Sequence, residues 1–194
     1  EPELAAALEG ILANEGIVVR KGLAYRSVRG DAAGVVLSVV ADGVEESIVA
    51  ERLLVATGRT PNTGGLGLDE LDIRLTTGGG IAVDDYLRTS NDTIYAVGDV
   101  TGRDMHVYMA AHAGNRAAKN ALGGDSQAYD ASAMPAVVFT DPQLATVGLT
   151  QAQALRAGLD VKTAILPLDA VPRALAARDT RGLIKLVADQ ATGK

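Results

Sequence analysis

Apolar positions set a helical rhythm first and an alternating one after it. Leu4, Leu8, Ile11 and Leu12 share one helical face behind a Pro2-Glu3 start, and Glu15-Gly16 supplies a left-handed stop. Residues 17–20 and 23–28 are short β-prone runs, and residues 35–40 and 44–49 flank Ala41-Asp42-Gly43, a strong hairpin signal. Residues 52–56 read as a compact apolar strand buried on both faces, ending in a Gly- and Pro-bearing loop at 57–62. Further strands are expected at 81–83 and 93–97. A helix is expected at 107–122, closed by Gly123-Gly124, with the small residues Val107, Ala110, Ala111, Gly114, Ala117, Ala118 and Ala121 on its packed face. After a polar connector at 125–132, the pattern predicts a strand at 136–139, then a helix at 151–157. That helix is opened by the Thr150–Gln153 capping box and stopped at Gly158. Strands follow near 161–166 and 182–188.

Composition narrows the field. The 194 residues carry 18 basic and 24 acidic side chains, a net charge of −6, with no basic tract, so nucleic acid and anionic membrane surfaces are not expected partners. No apolar run reaches the roughly 20 residues that span a bilayer, and a cytoplasmic location is expected. With no cysteine in the chain, a disulfide framework, a thiolate metal site and a cysteine nucleophile are all excluded within it. His106 and His112, six apart, suit no helical metal pair, so no metal site is expected. Glu1 in place of Met, and a last strand leading only into a turn, read as an internal piece of a longer protein.

Two loops carry the chemistry. Residues 93–97 end in Gly98-Asp99, at the kind of strand end where open α/β sheets bind ligands. Gly98 lets a sugar or sugar alcohol approach, and Asp99 offers two acceptor oxygens to hydroxyl pairs. The helix that begins near Val107 presents unpaired N–H groups and partial positive charge at its N-terminus. No Gly-rich phosphate loop of the dinucleotide or mononucleotide type and no nucleophile elbow occurs.

Ala56-Thr57-Gly58-Arg59-Thr60-Pro61-Asn62, with Thr93-Ile94-Tyr95-Ala96-Val97-Gly98-Asp99, resembles the paired motifs of the flavin disulfide reductases. The stretch from Met134 to Gly148 is similar to the start of that family's dimerisation domain. Within the family, this stretch, Val171-Pro172-Arg173-Ala174-Leu175, residues 179–187 and Val107-Tyr108 resemble the mercuric reductase branch, although Val100 stands where that branch usually has Cys.

The resemblance implies an α/β piece of a flavoprotein with two Rossmann domains. Residues 1–59 would end the NAD(P)H domain, 60–125 would return to the FAD domain, and 126–194 would begin an α+β homodimerisation domain. It implies FAD and NADPH as cofactors and Hg(II) as substrate. The redox cysteines would lie outside the chain, leaving no catalytic residue within it and the piece alone inactive. By the same resemblance Asp99 would accept from the FAD ribitol and Gly98 permit its approach. Val107 would offer an N–H to the flavin, Met105 and His106 would line it, and Gly58 and Arg59 would border the nicotinamide side. A dihydrolipoyl dehydrogenase-like enzyme and a non-catalytic dimerisation module stay open as alternatives.

Overall fold

The computed structural model describes residues 1–32, 34–123 and 127–194. The helix end at Gly124 and the connector residues Asp125 and Ser126 lie outside the described residues. The described residues form two compact units. One comprises Glu1–Ala56, Val137–Ala145 and Leu149–Lys194, and the other Thr57–Ala136 and Thr146–Gly148. Helix and strand are mixed, and two of the three sheets are antiparallel ladders.

In the first unit, helix α1 spans Pro2–Asn14 and ends where Gly16, at φ 84°, turns the chain away. Its apolar stripe is half-buried: Leu4, Leu8 and Ile11 face a groove of about 110 Å³ with Leu144, Leu168 and Leu183 on the other wall. Strands β1 (Ala24–Asp31), β2 (Gly34–Ala41) and β3 (Val44–Ala50) form an antiparallel meander with β2 in the middle. The central strand carries Val39, which is fully buried. Asp42 and Gly43 both take positive φ (48° and 81°), as a tight hairpin between β2 and β3 requires.

Residues 17–20 and 52–56 do not form the expected strands: both run as exposed coil, with Leu54 88% accessible. An apolar run becomes a strand only when another strand accepts its backbone bonds, and no described residue pairs with either segment.

Helix α3 (Gln151–Arg156) begins at a complete capping box, with Thr150 accepting from Gln153 N–H and Gln153 reaching back to Thr150 N–H. Strands β6 (Val161–Pro167) and β7 (Leu183–Asp189) pair antiparallel from Val161–Asp189 to Pro167–Leu183. Between them lies helix α4 (Pro172–Ala177), absent from the pattern-based reading, which starts with Pro at its first position.

The second unit is mostly loop built around helix α2 (Val107–Gly123). Residues 81–83 and 93–97 are extended but make only the isolated bridges Leu75–Ile81 and Arg88–Tyr95, not strands. Of the face expected for α2, only Ala117 is buried. Met109, Ala113, Ala117 and Asn120 are buried, whereas Val107 is 86% exposed. Leu87, Tyr95, Val97 and Tyr129 pack on Ala113 and Ala117. Strands β4 (Pro135–Val138) and β5 (Leu144–Val147), each with residues assigned to both units, pair with each other.

Candidate functional site

The second unit holds one turn between two close backbone approaches. Ile73, Ile81 and Ala96 pack with Val100 beneath it, and the chain then enters a single 3-10 turn, Gly98–Thr101. Gly98 takes φ 75°, and a Cβ there would sit 3.1 Å from the Cβ of Ala110 in the first turns of α2. On the other side Gly80 presses on the end of the turn: its Cβ would fall 2.3 Å from the Thr101 carbonyl oxygen. Ile81 N–H donates to the Val100 carbonyl at 2.9 Å. Thr101, buried, closes the turn by donating its hydroxyl to the Gly98 carbonyl at 2.8 Å and accepting from Arg103 N–H at 3.2 Å. Two glycines thus let two segments grip the turn that carries Asp99.

Past Gly102 the chain bends into α2 through Asp104, at φ 40°. The Asp104 carbonyl accepts from His106 N–H at 2.6 Å, and its carboxylate accepts from the Tyr129 hydroxyl at 3.0 Å. Burial, and then the hydrogen bond to the Asp104 carboxylate, push the Tyr129 hydroxyl up to about 12. The Arg103 guanidinium lies over the Tyr129 ring at 5.3 Å. The space enclosed by Leu87, Thr101, Asp104, Met109 and Tyr129 is only about 10 Å³, so the layer beneath the turn is filled.

At the start of α2 the His106 carbonyl accepts from Met109 and Ala110 N–H, both at 3.0 Å. The N–H groups of Val107 and Tyr108 have no acceptor among the described residues. They point from a helix end whose partial positive charge favours an electron-rich group. His106 stacks on Tyr108 with centroids 5.2 Å apart, and the Tyr108 hydroxyl donates to the Pro135 carbonyl.

Arg59 joins this cluster from 40 residues upstream. Its Nη1 donates to Asp99 Oδ2 at 2.9 Å and its Nη2 donates to the Met105 carbonyl. Asp99 Oδ1 has no partner among the described residues. Both side chains of the pair are about half exposed (59% and 48%), so the ion pair itself stabilises by no more than about 1 kcal/mol. Gly58, at φ 113°, precedes Arg59 with open space around it.

Gly98, Asp99, Met105, His106 and Val107 therefore stand on one short arc of backbone, with Arg59 bonded into it. Thr101, Asp104, Tyr129 and Gly80 belong to the same assembly and were not singled out from the sequence. In the sequence Gly80 ends a run of three glycines, residues 78–80. No group of three or more metal-ligating side chains occurs among the described residues, and no described helix is long and apolar enough to cross a membrane.

The geometry is thus a Gly-Asp turn set against the head of a small-residue helix. The family model for pyridine nucleotide-disulphide oxidoreductases matches residues 1–116, and the model for their dimerisation domain matches residues 134–194. The chain belongs to the pyridine nucleotide-disulphide oxidoreductase family. Among its relatives, mercuric reductase of Streptomyces lividans is 45% identical over 194 residues, which are 100% of this chain and 41% of that protein. Mercuric reductase of Shigella flexneri is 46% identical over 199 aligned positions, 100% of this chain and 34% of that protein. The chain thus spans well under half the length of the curated relatives it matches.

Solved structures share its fold. The HOCl-induced flavoprotein disulfide reductase RclA of Escherichia coli matches with TM-score 0.84 and 30% identity over 98% of this chain and 43% of that one. LpdA of Mycobacterium tuberculosis matches with TM-score 0.86 and 32% identity over 98% of this chain and 41% of that one.

Proposed function

We propose that this chain is the flavin-gripping and dimer-forming part of an NADPH-dependent mercuric reductase, a cytoplasmic homodimer that reduces Hg(II) to Hg(0). The likeness to mercuric reductases across the whole chain supports the substrate, and the match at residues 134–194 supports the dimer. FAD, when bound, carries electron pairs between NADPH and cysteine thiols, and this chain contributes no thiol of its own.

The residues present fit that cofactor. A Cβ at Gly98 would crowd Ala110, so the turn stays flat and free of side chain where a polyol must lie close. Asp99 Oδ1 is available to accept from a ribitol hydroxyl, and an ionised acceptor makes the stronger bond. The N–H groups of Val107 and Tyr108 are free to donate to the electron-rich pyrimidine edge of the ring. Met105 and His106 line the approach, and Gly58 and Arg59 border the side where NADPH would bring its nicotinamide.

The observation that carries the reading is the free Oδ1 of Asp99 beside the unpaired amides of α2. Its test is Asp99→Ala in a polypeptide bearing these residues at the full length of the relatives. Loss of one charge-assisted bond predicts roughly ten- to hundredfold weaker FAD binding. The flavin-to-protein ratio after purification reads it, alongside Hg(II)-dependent NADPH oxidation. Unchanged flavin content would refute the role of Asp99, and no Hg(II)-dependent oxidation by the unaltered protein would refute the substrate.

A further inference from the structure

We propose that Arg59 is a positioning residue for the cofactor, a fork that orients the Asp99 carboxylate while tying its turn to the loop that enters α2. The inference rests on the flavin-binding reading above and concerns a role nothing in that reading assigns. A carboxylate on a short side chain can rotate, and a hydroxyl partner gains most when one oxygen is already held. Here Oδ2 is held by Nη1 at 2.9 Å, which leaves Oδ1 as the open acceptor. The second tine, Nη2, donates to the Met105 carbonyl, two residues before the free amides of Val107 and Tyr108. One planar guanidinium therefore sets the spacing between the acceptor of the site and its donors, a geometric task for which Lys, a single point charge, is unsuited. Tyr129 holds the same loop from below through Asp104, so Arg59 works from the outer side of a loop already anchored within.

The test uses the full-length polypeptide, stripped of FAD and titrated with FAD while flavin fluorescence is followed. Arg59→Met is expected to weaken FAD binding by about three- to tenfold, the range of an exposed ion pair plus one hydrogen bond to a carbonyl. Arg59→Lys should recover only part of that loss. In an Asp99→Asn background the effect of Arg59→Met should shrink to the share carried by the Met105 carbonyl, because the carboxylate held by Nη1 is gone. Thermal melting of the apoprotein should barely move, since both side chains are half exposed.

Tighter FAD binding by Arg59→Met would overturn the proposal, because it would make Arg59 a competitor for Asp99. Full additivity with Asp99→Asn would overturn it too, as would complete rescue by Lys. Asp99→Asn binding FAD as well as the unaltered protein would overturn the flavin reading itself and this inference with it. Weak binding by Asp99→Asn together with undisturbed binding by Arg59→Met would overturn the inference alone.

Discussion

Gly98 and Ala110 stand so close that a single methyl group on the glycine would lie 3.1 Å from the alanine Cβ. The pair joins the turn bearing Asp99 to the first turns of α2, and it explains why both positions carry such small residues. At φ 75° Gly98 also occupies backbone space that costs an L-residue about 1–2 kcal/mol.

Gly98→Ala combines that backbone cost with the contact on Ala110. It is expected to lower stability by about 2 kcal/mol and to displace the turn away from α2. Urea unfolding of the variant measures the first, and flavin content of the full-length polypeptide the second. A variant with native stability and native flavin content would show that the turn is not held where the structure places it.

Gly80→Ala should be harsher. Its Cβ would meet the Thr101 carbonyl oxygen at 2.3 Å, and the obstacle is backbone with no flexible side chain to swing aside. Relief requires breaking the Ile81 N–H bond to Val100, and the expected loss is about 3 kcal/mol. Hydrogen exchange at the Ile81 amide should accelerate in this variant if it folds. An Ile81 amide as protected as in the unaltered chain would contradict the close approach.

Tyr129→Phe removes the hydroxyl that donates to Asp104 and should cost about 1 kcal/mol. Because the folded hydroxyl is raised from 10.0 to about 12, the unfolded chain ionises first. Its contribution is therefore present below pH 10 and disappears as pH rises toward 12. An alkaline absorbance titration near 295 nm should lose its last phase in the variant. Identical curves would place Tyr129 among the exposed phenols.

Lys185 enters the first unit almost fully buried, its ammonium 2.8 Å from Glu3 and bonded to Glu1 and Gln151 as well. The Lys185 hydrogen bonds hold the carboxyls of Glu1 and Glu3 below their ordinary value of 4.5, and those same bonds hold the lysine above 10.5. The linkage then has two edges. The carboxylates contribute fully above pH 4.5 and lose their contribution as pH falls further, and the ammonium contributes fully below pH 10.5 and loses its contribution as pH rises further. Lys185→Met should therefore destabilise the unit across the intervening range, with a deficit that narrows below pH 4.5. Denaturant midpoints of the two proteins at pH 3.5 and pH 7 check this. A deficit as large at pH 3.5 as at pH 7 would mean that packing, not charge, is what the lysine provides.

Local chemistry was legible and pairing was not. The Thr150–Gln153 box and the Asp42-Gly43 turn formed as read because every atom they need lies within four residues. Residues 52–56 did not form the strand their apolar side chains predicted, because a ladder needs a partner that no local pattern names. The face of α2 was misread for a related reason. Ala117 was on the expected face, but alanine is equally at home on either side of a helix, so small-residue spacing could not say that Ala113 would join it against Leu87 and Tyr129.

By itself, the sequence determined the turns, the caps, the family motifs in their order and the presence of a Gly-Asp pair before a small-residue helix. Only the tertiary structure decided that Arg59 reaches Asp99 and the Met105 carbonyl, that Gly80 braces the turn from behind, and that Tyr129 holds Asp104 beneath it. The division follows from range. Propensity and turn geometry act over a few residues, whereas the orientation of one carboxylate is set by groups 40 residues away that meet it only when the chain is packed.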